Sequence, residues 1–147
     1  MPYCSIADLK LAIPDQTLIW LTCDDPQAPA MNLPVAEEAI RQAEELVDGF
    51  LRGRYALPLA SVPTLVKDMS VHLARHWLYA RRPEGADLPD AVKDGQKNAL
   101  RILENIRDGK ITLGLPAALG GKDAPEPGEM KVKSRPQVFS TSMLGAY

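Results

Sequence analysis

The stretch from Val35 to Leu59 constrains the fold of this chain more than any other part of the sequence. It reads VAEEAIRQAEELVDGFLRGRYALPL, and its apolar side chains recur at steps of three and four residues: Ala36, Ala39, Ile40, Ala43, Leu46, Val47, Phe50 and Leu51. Because an α-helix has about 3.6 residues per turn, these side chains form one stripe, opposite the charged residues. The pattern predicts a long amphipathic helix with Asn32 as its N-cap and its end near Gly53.

The first thirty residues predict two short helices. Ser5 followed by Asp8 is typical of a capping box, with Tyr3 packing against the entry, and favours a helix from about Ile6 to Ala12. Asp15 is placed to cap a second helix through Gln16–Leu21.

Two more long helices follow. Ser61 is a candidate cap for the first, which ends by Pro83 and has the apolar stripe Leu65, Val66, Met69, Leu73, Ala74, Trp77 and Leu78. The second runs from about Pro89 to Asp108 and buries Val92, Ala99, Leu100, Leu103 and Ile106. Gly109 is its candidate C-cap, and Gly95 weakens it by about 1 kcal/mol relative to alanine. The prediction is an all-α bundle of three main helices plus two short N-terminal helices, with an extended C-terminal tail.

The residues after Gly109 differ in composition from those before. Residues 116–128 are rich in Gly, Pro and Ala, which is typical of a mobile linker. Residues 130–134 alternate like a strand, and a lone strand needs a partner. We therefore divide the chain into a helical domain, residues 1–116, and a flexible arm, residues 117–147. Docking of the arm by strand addition would use basic and apolar side chains: Lys131, Lys133, Arg135, Phe139 and Leu144.

Composition excludes several classes of function. A formal net charge of −2 over 147 residues argues against a general polyanion-binding role. No apolar run approaches the roughly 20 residues of a spanning helix, and the N-terminus lacks a secretory signal pattern. Cys4 and Cys23 are expected to be reduced, part-buried thiols. We expect no membrane partner, no small-molecule substrate and no cofactor.

No motif indicates catalysis or metal binding. His72 and His76 lie one helical turn apart, but the glutamate and third ligand of a zinc helix are missing. The pairs Asp24-Asp25 and Glu44-Glu45 fit solvated surface charge better than a calcium loop. Because no group of residues satisfies the geometry of a reaction centre, we expect a protein that is not an enzyme.

The arginines offer the clearest candidates for contacts with other molecules. Arg52 and Arg54 flank Gly53 at the end of one long helix, and a further group lies in the last turns of the next: Arg75, Arg81 and Arg82. Cations at helix C-termini are favoured by the helix dipole, so local capping is the preferred interpretation. The alternative is that these guanidinium groups bind carboxylates of a neighbouring subunit.

Several short runs together resemble one family, the head–tail connector proteins of Mu-like phages and prophages. The runs occur in the same order between residues 1 and 116: Tyr3-Cys4-Ser5, Asp8-Leu9, Leu21-Thr22, VDGFLRGRY at 47–55, Leu57-Pro58-Leu59, Val62-Pro63, Arg75 with Leu78-Tyr79, and GKITLG at 109–114. The resemblance implies a mostly helical adaptor that acts in the virion and assembles in the cytoplasm of the bacterial host.

The same resemblance implies partners. Such connectors form rings of about a dozen copies between portal and tail proteins, so one face of each subunit meets a different face of the next. Arg52, Arg54 and Tyr55 then become candidates for a subunit contact. DNA passes near such a ring without being read in a sequence-specific way. An alternative is a small helical DNA-binding or packaging-accessory protein, in which Arg75, Arg81 and Arg82 contact phosphates.

Overall fold

The computed structural model describes residues 2–25, 27–82 and 87–115. Within these ranges the chain forms five helices and no strand: α1 Ile6–Ala12, α2 Asp15–Thr22, α3 Leu33–Leu51, α4 Thr64–Ala80 and α5 Asp90–Arg107. The predicted all-α class is therefore confirmed. The predicted arm, and the boundary near residue 116, lie outside the described residues.

Helix α1 begins at the predicted capping box. The backbone N–H of Asp8 donates to the Ser5 hydroxyl, and the Ser5 N–H donates to the Asp8 carboxylate over 2.9 Å. Each side chain thus satisfies a backbone donor that the first helical turn leaves unpaired. Asp8 also binds Lys67 of α4 over 2.7 Å, which ties the start of α1 to the bundle.

Two predicted N-caps are wrong. Pro14 precedes α2 with an extended backbone, so Asp15 is the first helical residue and makes no capping bond. Pro63 takes the same position before α4, and Ser61 lies outside that helix. In both cases the N-cap residue is a proline, which has no side chain able to accept a hydrogen bond from the first turn.

The predicted stripe of α3 is largely confirmed, with one correction. Ala36, Ala39 and Val47 have no exposed surface, whereas Leu46, which the pattern also placed on the stripe, is 42% exposed. Successive helical residues are rotated by about 100°, so Leu46 lies about that angle from Val47, at the edge of the stripe. The helix ends at Leu51 and Asn32 precedes it without a side-chain capping bond.

Helices α3, α4 and α5 pack against one another around the main core, and α1 and α2 lie against α4 and α3. The predicted faces of α4 and α5 supply buried side chains, including Val66, Leu78, Leu103 and Ile106. Gly109 follows α5 with φ +84°, the left-handed conformation expected of a C-terminal glycine.

None of the helices in the part of the chain that the structure describes has the length and apolar character that a bilayer crossing requires.

Candidate protein-interaction surface

Arg54 caps a helix that is distant in sequence. Its Nη1 donates a 2.7 Å hydrogen bond to the carbonyl oxygen of Ile106, in the last turn of α5. A Cβ added to Gly109 would lie 2.9 Å from the same Nη1, so the guanidinium packs closely on the glycine. Local capping at the end of α3 was the preferred interpretation, and the guanidinium instead stabilises the C-terminus of α5.

Tyr55 holds the segment that follows α5. The side chain is 5% exposed, and its hydroxyl accepts a 2.9 Å hydrogen bond from the backbone N–H of Leu113. Arg54 lies 5.9 Å from the centre of the Tyr55 ring. Tyr55 therefore joins the turn after α3 to residues 111–115, and its part in a subunit contact stays a prediction.

Arg52 differs from Arg54 in having an exposed side chain without an ion pair or hydrogen bond among the described residues. It borders an open cleft of about 560 Å³ formed with the turn after α3: Asp48, Arg52, Tyr55, Ala56, Leu57 and Pro58. A carboxylate from another molecule can approach this guanidinium without displacing an existing partner.

Arg81 links the ends of α4 and α2. Its Nη2 binds both carboxylate oxygens of Asp24, at 2.9 and 3.1 Å, and its Nη1 lies 3.4 Å from the carbonyl oxygen of Leu21. The guanidinium therefore satisfies acceptors at the C-terminus of α2, within the same subunit.

Arg75 of α4 and Arg82, which follows that helix, lie against aromatic rings. Arg82 stacks on the ring of Trp20, with its Cζ 3.0 Å from the ring centre, and Trp20 remains 56% exposed. The Cζ of Arg75 lies 5.8 Å from the centre of the Tyr79 ring, and its Nε is buried without a hydrogen-bond partner in the described structure. A contact of Arg75 and Arg82 with another subunit stays a prediction.

The candidate residues of the tail lie outside the described residues: Lys131, Lys133, Arg135, Phe139 and Leu144. The described part of the chain contains no strand to which such a segment would add. If the tail docks on the described residues of another subunit, it therefore requires a surface of a different kind.

The contact between the N-terminal segment and α3 was not predicted from the sequence. The N-terminal segment, residues 2–5, lies along this helix, where the backbone N–H of Tyr3 donates to Glu44 and the Tyr3 hydroxyl donates to Asp48. Burial raises the pKa of both the Tyr3 phenol and the Glu44 carboxyl, and it is the largest of the causes that act on each group. Tyr3 lies 41 residues from Glu44 and 45 residues from Asp48 in sequence. The sequence signal for these contacts was the acidic face of α3.

The thiols and histidines make no metal site in the described residues. Cys4 and Cys23 are both free, and burial raises the pKa of the Cys4 thiol to about 12. The ring of His72 packs on α5 beside Gly95. The contact is close: a Cβ added to Gly95 would lie 2.8 Å from the Nδ1 of His72. Burial lowers the pKa of His76. Among the residues described, no three His, Cys, Asp or Glu side chains are grouped to hold a metal ion.

The fold and this surface define a small all-α protein whose helix ends are joined by arginine contacts, with a charged face along α3. Residues 3–134 match the family model described as "Bacteriophage Mu, Gp36". The chain therefore belongs to this Mu phage family, as the resemblance in its sequence implied. Family membership indicates a phage protein of the structural or assembly type.

Two relatives extend the comparison. The chain is 30% identical over 100 residues to the "Mu-like prophage FluMu protein gp36" of Haemophilus influenzae. It is 33% identical over 112 residues to "Gene product J" of Escherichia phage Mu. The matches cover 68% and 76% of this chain, and 64% and 74% of the relatives, so about a third of the Haemophilus protein lies outside the match.

Proposed function

We propose that this protein is a head–tail connector: a structural, non-enzymatic component that forms a ring between the portal and tail proteins of a Mu-like phage. The observation that carries the proposal is the match of residues 3–134 to the Mu Gp36 family. The match covers all five described helices. The family relationship therefore applies to the fold that would form the contacts between subunits.

The distribution of charge along α3 supports a head-to-tail contact. Five carboxylates project from the helix, Glu37, Glu38, Glu44, Glu45 and Asp48, whereas the exposed guanidinium of Arg52 follows its C-terminus. A ring requires two different surfaces of each subunit to meet, and an acidic face along the helix together with an exposed cation beyond its C-terminus supplies such a pair. Electrostatic complementarity of this kind sets the register and speeds association.

The contacts of Arg81 and Arg82 give no support to the alternative of a DNA-binding protein. Arg81 is held by Asp24 and by the end of α2, and Arg82 is stacked on Trp20. A phosphate that bound Arg81 would have to displace its bonds to Asp24. Salt-dependent DNA binding is the direct test, because phosphate contacts release counterions and weaken steeply as salt rises.

The central experiment combines the purified full chain with the portal protein of the same phage or prophage, followed by electron microscopy and mass measurement over a concentration series. We expect rings on the portal. Arg52→Glu should reduce ring formation, because it reverses the exposed charge that we place in the contact. Arg101→Glu on α5 is the matched control, since Arg101 is also exposed and, within the described residues, bonds only Asn98 of its own helix.

Two results would contradict the proposal. One is failure of the unmodified chain to assemble or to bind the portal at high concentration. The other is an equal loss of assembly in both arginine variants, which would place Arg52 outside the contact.

A further inference from the structure

A narrow cleft separates the N-terminal segment from α3. It has a volume of about 290 Å³ and is lined by residues of both elements: Pro2, Cys4, Ser5, Ile6, Glu37, Ile40, Arg41 and Glu44. Cys4 and Ile40 are buried beneath it and Ile6 is half-buried, so its floor is apolar. The hydrogen bonds from Tyr3 to α3 hold the two walls together.

The rim of this cleft is acidic. Glu37 is exposed and makes no ion pair among the described residues, and Glu44 accepts the N–H of Tyr3. Among the described residues that line the cleft, Arg41 is the one cation, and it binds Glu38 over 2.6 Å and Glu45 over 2.7 Å. Its charge is therefore offset by its own neighbours on α3, which leaves the carboxylate of Glu37 without an ion pair among the described residues.

A segment of this same chain has the complementary pattern. Residues 130–135 read Met-Lys-Val-Lys-Ser-Arg, which alternates small or apolar side chains with three cations. In an extended peptide, Met130 and Val132 point to one side, and the long cationic side chains bend toward nearby carboxylates. An apolar floor with an acidic rim matches both halves of this pattern.

The length of chain beyond the described residues allows the segment to reach another subunit. Residues 116–129 separate Leu115 from Met130, and fourteen residues span at most about 50 Å when extended. Helix α3, with 19 residues, is about 28 Å long. The extended linker is therefore longer than α3, which is enough length for the segment to extend to the cleft of an adjoining copy packed head to tail.

We propose that the cleft between residues 2–6 and α3 binds residues 130–135 of a neighbouring copy of this chain. Met130 and Val132 occupy the floor, and Lys131 and Lys133 pair with the acidic rim. The inference rests on the proposed ring, and it names the surface that receives the tail within it.

The test uses photochemical cross-linking of the full chain, with benzoylphenylalanine introduced at Ser134. Equal amounts of isotopically heavy and light protein are mixed, assembled with the portal and irradiated, and the linked peptides are identified by mass spectrometry. We expect heavy–light links from position 134 to residues 2–6 or 37–44. The same probe at Thr141, outside the basic segment, should not form them.

Charge reversal provides the second measurement. Glu37→Lys should lower the yield of these links about fivefold, since it replaces attraction by repulsion at the rim. Glu104→Lys makes the same change at an exposed site of α5 and should leave the yield unchanged.

Links elsewhere, an absence of links, or links confined to one isotope would each overturn the inference, the last because the tail would then bind its own subunit. Rings on the portal without links to the cleft overturn the inference and leave the proposed function intact. Heavy–light links to the cleft without rings contradict the proposed function instead.

Discussion

Arg54 donates a hydrogen bond from Nη1 to the carbonyl oxygen of Ile106 across 52 residues of sequence, and so fixes the end of α5 against the turn after α3. Arg52, two residues earlier, is exposed and without such a partner in the described structure. The two arginines flank Gly53 and are equivalent candidates by sequence, but the structure gives them different environments.

This difference predicts separate effects of two substitutions. Arg54→Ala should lower the free energy of unfolding by about 1–2 kcal/mol, because the carbonyl of Ile106 loses a part-buried, charge-assisted hydrogen bond. Arg52→Ala should change it by less than about 0.5 kcal/mol, as is usual for exposed positions. Urea unfolding of both variants measures this, and equal destabilisation by the two would contradict the assignment.

Gly95 gives a prediction in which two effects oppose each other. Gly95→Ala gains about 1 kcal/mol of helix propensity, but the new Cβ meets the His72 ring at 2.8 Å. The ring is half-exposed and can swing outward, so the net change should be small. In a His72→Ala background the same substitution should stabilise the protein by about 1 kcal/mol. Thermal unfolding of the four proteins forms a double-mutant cycle, and identical effects in both backgrounds would show that the ring does not oppose the substitution.

The two cysteines should differ in reactivity. Because burial raises the pKa of Cys4 to about 12, its thiolate is scarce at pH 8, whereas Cys23 is part-exposed and donates to the carbonyl of Ala30. Ellman's reagent should therefore modify one thiol quickly and the second only as the protein unfolds. Cys23→Ser should remove the fast phase, and a persistent fast phase would place Cys4 at the surface.

Asp8 predicts a loss of stability in acid. Lys67 and Ser5 lower its pKa from 3.8 to about 2 in the folded protein. The unfolded chain therefore binds more protons at pH 2–4, so the contribution of Asp8 is present above about pH 4 and is lost as the pH falls toward 2. For a partly exposed pair this amounts to about 0.5–1 kcal/mol. Lys67→Gln should flatten the pH dependence of unfolding in this range, and an unchanged slope would exclude the pair as its cause.

The sequence determined the local structure of this protein. The capping box of Ser5 and Asp8, the apolar stripes of α3, α4 and α5, and the glycine after α5 each depend on residues within a few positions of one another. Their effects on helix start, buried face and helix end can therefore be read from spacing alone. The family was also predictable, since its signature lies in short runs such as residues 47–55.

Only the tertiary structure decided which groups meet across the bundle. Arg81 with Asp24, Arg54 with Ile106, and Tyr3 with Asp48 join residues that are 45 or more positions apart. These pairs depend on how helices pack, which spacing within one helix does not specify. The same reason explains Leu46, which satisfies the helical period yet lies at the edge of the packed stripe and is 42% exposed. Packing also places Arg54 against the end of α5 and leaves the side chain of Arg52 exposed, a difference that the sequence pattern of the two arginines does not contain.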